Sequence, residues 1–157
     1  MLRIGNGYDV HKLEKNIPLV IGGVHINHPL GLAAHSDGDV LLHALCDALL
    51  GAAALNDIGT HFSDQDQTYK GIDSRILVRQ VCQMINTNYT IQNVDCTIIA
   101  QAPKLAPYIQ QMRATIAQDL QIDISQVGVK ATTTEHLGFQ GRGEGISALC
   151  SALIAQK

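Results

Sequence analysis

The chain has 157 residues with 11 basic and 14 acidic side chains, and its formal net charge is −3 at pH 7. This length predicts one domain, spanning 1–157, with a sizeable core. The acidic balance argues against a nucleic-acid surface built on bulk positive charge. Because the chain has no tryptophan and only two phenylalanines, the core is expected to be aliphatic.

Cysteine usage and the N-terminus indicate a cytoplasmic protein of bacterial type. The four cysteines form no CxxC pair and lie among apolar neighbours, which favours free buried thiols in a reducing compartment. Residues 1–5 resemble neither a signal peptide nor a transit peptide. No apolar run approaches the ~20 residues that a membrane span needs, so we expect no membrane partner.

The first half of the chain predicts two strand regions, a helix and a loop. Residues 2–10 are predicted to form a strand, and residues 17–26 a short hairpin around Gly22-Gly23. Residues 37 to about 55 are apolar almost all round, which predicts a helix buried on more than one side. Residues 56–71 are polar with little apolar area, which predicts a mobile loop that carries function.

The second half alternates predicted helices and strands. Helices are expected over 73–86 and after Pro107, strands over 90–100 and 127–132, and a glycine-rich loop over 137–145. The helix after Pro107 should bury Ile109, Met112, Ile116 and Leu120. Residues 146–155 fit either a helix or a strand. Interleaved strands and helices predict an α/β layer with helices on one sheet face, and a second subunit on the other.

Two histidines and an aspartate could hold a metal ion. Asp9 and His11 would point from the same face of a strand. His43 would lie just inside a helix that Ser36 caps, with Asp39 at the N3 position. Three protein ligands leave a fourth position open, as in catalytic zinc sites. The alternative is a pair of hydrogen-bonded core histidines, and spacing alone does not separate the two.

Three further patterns have both a functional and an ordinary interpretation. His35-Ser36 could bind phosphate at the helix start or simply cap it. Residues 101–104 and 130–135 follow two predicted strands and could line one anion or nucleotide pocket, although threonine runs also occur in exposed strands. The pair Gly5 and Gly7 lacks the third glycine of a dinucleotide fingerprint and predicts a close backbone approach instead.

Three aspartates near the predicted helix have no assigned partner. Asp37, Asp39 and Asp47 could be solvated or could interact with the helix dipole. One of them could instead orient a metal-binding imidazole, as carboxylates beside metal sites do.

Seven segments, in order, resemble the 2-C-methyl-D-erythritol 2,4-cyclodiphosphate synthase family of the non-mevalonate isoprenoid pathway. They are G-x-G-Y-D-V-H at 5–11, A-H-S-D-G-D-V-L-L-H-A at 34–44, A-L-N-D-I-G at 54–59, F-S-D at 62–64, A-Q-A-P-K at 100–104, K-A-T-T-T-E at 130–135 and L-G-F-Q-G-R-G-E-G-I at 137–146. Asn6, Ser63 and His136 depart from the family pattern, in which histidine, proline and a basic residue are usual.

The resemblance implies a fold, an assembly and a reaction. The fold would be a single mixed β-sheet with helices on one face and the other face in a homotrimer core, with active sites between subunits. The enzyme would cyclise a CDP-linked methylerythritol phosphate and release CMP.

The resemblance also implies roles for individual residues. Asp9, His11 and His43 would bind one Zn²⁺ per subunit, and Glu135 a Mg²⁺ or Mn²⁺ ion on the substrate diphosphate. His35 and Thr133 would stabilise the transition state. The remaining substrate contacts would be Ser36, Asp57, Ile58, Gly59, Phe62, Ser63, Asp64, Gln65, Asp66, Ala100, Gln101, Ala102, Pro103, Lys104, Leu105, Ala106, Thr132, Thr134, Phe139 and Arg142.

Two other functions stay open at this level. A zinc phosphohydrolase would use the same ligand set with water as the nucleophile, although no obvious general base adjoins the ligands. A trimer could also bind an isoprenoid diphosphate through Arg142 and Glu144 and act as a sensor, and this role is compatible with catalysis.

Overall fold

The structure is a computed structural model that describes residues 1–63 and 65–157. A five-stranded sheet and a separate two-stranded hairpin hold seven strands. The strands are β1 (Leu2–Lys15), β2 (Leu19–Ile21), β3 (Val24–Ile26), β4 (Leu30–Leu32), β5 (Tyr89–Ile99), β6 (Val127–Thr132) and β7 (Gly145–Gln156). The helices are α1 (Val40–Ala52), α2 (Ile58–His61), α3 (Ser74–Asn86), α4 (Ile109–Leu120) and α5 (Gly138–Gly141), with 3₁₀ turns at Gln67–Tyr69, Ala106–Tyr108 and Ile124–Gln126.

The large sheet is mixed, as predicted, and its strand order is β4-β1-β7-β5-β6. β7 is antiparallel to both β1 and β5, and β5 is parallel to β6. Consequently β1, β5 and β6 run in the same direction, and their C-terminal ends meet at one edge of the sheet. The register confirms this, because Asp9 on β1 and Ile98 on β5 both lie opposite Ala148.

Helix α1 lies directly on the sheet at the two glycines of β1. A Cβ atom added to Gly5 or Gly7 would overlap the carbonyl oxygens of Ala48 and Ala44. The predicted close backbone approach is therefore confirmed. Every residue of α1 except three is buried, because α1 also packs against β7 and α3.

We expect Gly7→Ala to lower the free energy of unfolding by about 1–3 kcal/mol or more, because the added methyl must push α1 off the sheet. Gly51→Ala is the matched control in the same region. Its added Cβ meets only the Asn6 carbonyl oxygen, at 3.8 Å, and alanine favours helix by about 1 kcal/mol. Urea denaturation at one protein concentration measures both variants. Equal destabilisation by the two substitutions would show that α1 does not pack tightly on the sheet at Gly7.

The opposite face of the sheet exposes apolar side chains. Ile4, Tyr8 and Val10 on β1 are 69%, 54% and 42% exposed, and Leu149 on β7 is 47% exposed. Tyr8 and Leu149 are direct cross-strand partners, so the exposed groups are contiguous. A patch of this kind on a sheet face is typical of an interaction surface.

Residues 146–155, which the sequence left ambiguous, lie in β7 at the centre of the sheet. The apolar residues that alternate along this segment are all buried, namely Ile146, Ala148, Cys150, Ala152 and Ile154. Their alternation therefore identified the buried face of the strand. The hairpin and the strand Val127–Thr132 also match their predicted positions. In α4, Met112, Ile116 and Leu120 are buried, whereas Ile109 is only partly buried against the core.

The predicted start of α1 was wrong. Ser36 is not the N-cap, because Gly38 adopts a left-handed φ of 78° that cannot continue a helix. Asp39 is the N-cap instead, and its carboxylate accepts the Leu42 N–H at 3.0 Å. The same carboxylate accepts the N–H groups of Gly22 and Gly23. The buried Asp39 therefore joins α1 to the hairpin.

The two predicted loops contain short helices. Residues 137–145 include α5, and residues 56–71 include α2 and a 3₁₀ turn. The expectation of little apolar anchoring in the second segment was wrong, because Phe62 is buried and its ring meets Tyr69 edge-on at 5.6 Å. No described helix is long and apolar enough to cross a membrane.

A buried carboxylate joins α3 to α4. Asp119 is 3% exposed and binds Arg75 through two hydrogen bonds of 2.7 and 2.9 Å. Arg79 adds a third contact at 3.1 Å. The two arginines therefore compensate the buried negative charge of Asp119.

Asp119→Ala should destabilise the protein by about 1.5–3 kcal/mol, because it removes the charge-assisted hydrogen bonds that join Arg75 and Arg79 to α4. Glu14→Gln is the control, since the Lys12–Glu14 pair is largely exposed and should contribute less than about 1 kcal/mol. Thermal and urea unfolding of both variants test the difference, and comparable losses would refute it.

Candidate metal centre

Three potential ligands converge between β1 and α1. Asp9 and His11 share the odd-numbered face of β1 with Gly5 and Gly7, so they point toward α1. His43, in the first turn of α1, points back at them. Asp9 Oδ2 lies 2.8 Å from His11 Nε2 and 3.1 Å from His43 Nδ1, and the two nitrogens are 3.0 Å apart.

This geometry fits a metal ion with three protein ligands. Ligand atoms about 2.0–2.1 Å from a tetrahedral zinc ion are separated by about 3.3 Å, close to the three observed distances. Asp9, His11 and His43 form the one cluster of three or more His, Cys, Asp or Glu ligands found among residues 1–63 and 65–157. The chain therefore contains a three-residue metal site at the predicted positions.

Charge inside the site favours an ionised aspartate. Burial alone would raise the pKa of the Asp9 carboxyl, but hydrogen bonds from His11 and His43 hold that pKa well below its usual range. Burial lowers the pKa of His43, yet the hydrogen bond to Asp9 and its negative charge raise the pKa above its ordinary value. The anionic carboxylate would attract a cation to this point.

The metal site opens into a cavity of about 370 Å³. We call this cavity, with its three ligands, the metal half-site. Five other residues predicted as site residues line it, namely His35, Ser36, Ile58, Gly59 and Phe62. Asp47, one of the three aspartates that the sequence left without an assigned partner, also lines the cavity. The sequence did not place Tyr69, Ile72 or Leu77 at the site, although all three line it.

A second cavity, of about 390 Å³, lies at the ends of β5 and β6. We call it the strand-end half-site. Its lining is Ala100, Gln101, Pro103, Lys104, Leu105, Ala106, Ile109, Ala131, Thr132 and Thr133. The Gln101 side chain also accepts the His136 N–H at 3.2 Å. The two strand ends therefore surround one cavity, as their position in the sequence predicted.

Some predicted residues lie outside both cavity linings. They are Asp57, Ser63, Gln65, Asp66, Ala102, Thr134, Glu135, Phe139 and Arg142. Asp64 falls outside the described residues. Glu135 is exposed, with a left-handed φ of 52°, and its carboxylate lies 3.5 Å from the Thr133 hydroxyl. Arg142 pairs with Glu144 at 3.0 Å.

The two half-sites share one end of the sheet but are separated within a chain. β1 and β6 are three strand spacings apart, or about 14 Å. His35 lines the first cavity and Thr133 the second. One chain alone does not bring these two residues into one cavity.

Sequence reasoning missed one residue in direct contact with a ligand. The Ser74 hydroxyl, fully buried, lies 2.9 Å from His43 Nε2. Ser74 begins α3, 31 positions after His43, so no local spacing pattern could connect the two residues.

Comparison with known proteins identifies the family of the chain. Residues 2–155 match the YgbB family. The chain is 61% identical to the 2-C-methyl-D-erythritol 2,4-cyclodiphosphate synthase of Methylococcus capsulatus over 158 residues, which is 100% of each protein.

Two solved structures are similar as well. The bifunctional IspDF of Campylobacter jejuni gives a TM-score of 0.96 at 44% identity, over 100% of this chain and 43% of that longer one. A CDP complex of IspF from Plasmodium falciparum gives 0.87 at 38% identity, over 99% and 97% of the two chains. With these matches spanning nearly its whole length, the chain belongs to the YgbB family.

Proposed function

We propose that this protein converts 4-CDP-2-C-methyl-D-erythritol 2-phosphate to 2-C-methyl-D-erythritol 2,4-cyclodiphosphate and CMP, in the cytoplasm and in the non-mevalonate isoprenoid pathway. The observation that carries the proposal is the Asp9, His11 and His43 cluster in the lining of a cavity. It occurs in a family whose relatives are named for this synthase. The enzyme would be a cyclising phosphorus-oxygen lyase.

The reaction needs positioning more than it needs a base. An oxygen of the 2-phosphate attacks the β-phosphorus, and the bond from that phosphorus to the bridging oxygen breaks, so that CMP leaves with the electron pair. The nucleophile is already an anion, and no water enters. The protein must align two phosphates that repel each other and stabilise the charge that develops.

The ligand types support two cations with different roles. Two imidazoles and one carboxylate suit Zn²⁺, and the exposed Glu135 carboxylate suits Mg²⁺ or Mn²⁺, which bind through one or two carboxylates and substrate phosphates. When bound, the zinc would supply Lewis-acid stabilisation at the β-phosphate, and the second cation would offset the repulsion between the α- and β-phosphates.

The chain's own side chains would bind and orient the substrate. His35, at the metal half-site, and Thr133, at the strand-end half-site, would donate hydrogen bonds to phosphoryl oxygens. Lys104 would add positive charge beside the nucleotide. Ile58 and Phe62 would cover the methylerythritol portion and exclude water. CDP, the nucleotide in the solved Plasmodium falciparum complex, is part of the proposed substrate.

A homotrimer with active sites between subunits would complete the site. The exposed apolar groups of β1 and β7 supply a sheet face that needs a partner. The separation of about 14 Å between the half-sites would be resolved if one subunit's metal half-site faced its neighbour's strand-end half-site. Both observations support a shared site, and three subunits would close a ring.

One observation favours a second function, the hydrolysis of a phosphate ester. The Asp47 carboxylate lines the metal half-site, and burial raises its pKa, as a general base for water activation requires. However, the Ile58 N–H donates to the same carboxylate at 2.7 Å. That bond gives Asp47 a structural role in holding α2 beside the metal half-site.

Phosphorus NMR of the products separates the two functions. With the zinc-loaded protein, Mg²⁺ and the CDP-linked 2-phosphate substrate, we expect CMP and the pair of coupled signals of a cyclic diphosphate. Inorganic phosphate or a linear phosphate ester would contradict cyclisation and favour hydrolysis. Asp47→Asn in the same assay should still give the cyclic product if this carboxylate only holds α2.

A further inference from the structure

The two ring nitrogens of His43 face different surroundings. Nδ1 points at Asp9 and His11, where the metal would bind. Nε2 lies 3.0 Å from the Ser36 hydroxyl and 2.9 Å from the Ser74 hydroxyl. A neutral imidazole carries one proton, so only one tautomer leaves Nδ1 free to bind a metal.

A carboxylate fixes the direction of the hydrogen bond at Ser74. The Ser74 hydroxyl lies 2.5 Å from Asp37 Oδ1. A carboxylate only accepts, and a hydroxyl has one proton to donate. Ser74 therefore donates its hydrogen bond to Asp37 and accepts one from the N–H group at His43 Nε2. The Asp37 carboxylate is itself held by the backbone N–H groups of Ser74 and Asp39, both at 3.1 Å.

Ser36 contacts the same nitrogen without this constraint. Its oxygen accepts the Gly38 N–H at 3.2 Å, and no carboxylate in the described part of the chain hydrogen-bonds to it. Its proton can therefore turn toward or away from His43. Ser36 thus provides an internal comparison, with a similar distance to the same ring atom but no fixed direction.

We propose that Ser74 and Asp37 are positioning residues that hold His43 with its proton on Nε2 and its Nδ1 lone pair directed at the metal. The inference depends on the metal site of the proposed function. Neither residue would touch the substrate. Carboxylates beside metal-binding histidines act in this way in many metal sites, and here a serine hydroxyl lies between the two groups.

The structure also shows why Asp37 takes this role among the three nearby aspartates. Asp39 is engaged by the N–H groups of Gly22, Gly23 and Leu42. Asp47 accepts the Ile58 N–H. Only Asp37, of these three, hydrogen-bonds to a side chain that contacts a metal ligand.

Zinc affinity provides the first test. The dissociation constant is measured by chelator competition for the full-length protein and for Ser74→Ala, Asp37→Ala, Ser74→Thr and Ser36→Ala. We expect the first two variants to bind zinc about 10- to 100-fold more weakly. Ser74→Thr keeps a hydroxyl and should recover much of the affinity, and Ser36→Ala should stay near the wild-type value. Circular dichroism confirms that each variant is folded.

The tautomer provides a second readout that a purely structural role would not change. Long-range proton–nitrogen NMR of the zinc-free protein at alkaline pH shows which nitrogen of His43 is protonated. Without zinc, the Asp9 carboxylate 3.1 Å from Nδ1 competes for the same proton, so the tautomer fractions are compared between variants. We expect a larger Nε2-protonated fraction in the wild type and in Ser36→Ala than in Ser74→Ala and Asp37→Ala.

The outcomes separate this inference from the proposed function. If the wild type binds zinc and forms the cyclic product, but Ser74→Ala and Ser36→Ala have equal affinities and the same tautomer, the positioning role is wrong. If the wild type binds zinc with the expected order of variants but forms no cyclic product, the proposed function fails and the positioning role stands. A wild type that binds no zinc overturns both.

Discussion

His43→Ala is expected to remove the metal and the activity together while leaving the fold intact. Asp9 and His11 alone would form a two-ligand site, too weak to hold zinc in an open geometry. His43 is only 12% exposed, but it contributes to the site rather than to the interior of α1, and alanine is the best helix former. Loss of several kcal/mol of charge stabilisation should lower turnover by roughly three orders of magnitude.

Metal analysis and turnover are measured on the same preparation. His25→Ala is the control, because His25 is an exposed histidine of β3 and belongs to neither cavity lining. It should keep one metal per chain and wild-type turnover. Wild-type turnover in a His43→Ala protein shown to lack zinc would reject the metal assignment.

The ligands could be predicted because their positions follow from local periodicity. Asp9 and His11 lie two positions apart on a strand, and His43 lies near the start of a strongly apolar segment that predicts a helix. The same reasoning placed the ends of β5 and β6 together. Gly5 and Gly7 indicated a close approach, although the sequence did not show that α1 is the element in contact.

The start of α1 could not be predicted because two capping residues compete within four positions. Ser36 and Asp39 are both good N-caps, and the choice depends on contacts distant in sequence. Asp39 is selected because the hairpin brings Gly22 and Gly23 to its carboxylate. The role of Ser74 could not be predicted for a similar reason, since only tertiary packing brings the start of α3 to His43.

The relation between the two half-sites is the other feature that one chain cannot reveal. Sequence patterns place His35 and Thr133 at the same end of the sheet, but the strand order separates them by β7 and β5. We propose that an assembly brings both to one substrate. The apolar face of β1 supports such an assembly, and activity measurements on mixed oligomers can test it directly.

Mixing two inactive variants should restore activity if each site is shared between neighbouring subunits. His43→Ala removes the metal half-site, and Glu135→Gln keeps zinc but removes the charge that a hard second cation needs. Each variant alone should lose most turnover. After random co-assembly of equal amounts, a site is intact when one subunit supplies His43 and its neighbour supplies Glu135, which happens at about one quarter of the interfaces.

A second mixture makes this test quantitative. Wild-type chains co-assembled with the His43→Ala/Glu135→Gln double variant should also give about one quarter of wild-type turnover when sites are shared. If each chain instead contained a complete site, the two inactive single variants would give none, and the second mixture would give about one half. Both mixtures are prepared by co-refolding differently tagged chains, and turnover is measured without separating the oligomers. Capture of a separate portion through both tags verifies subunit exchange. A result of none and one half would place His43 and Glu135 in the same chain's active site and reject the shared arrangement.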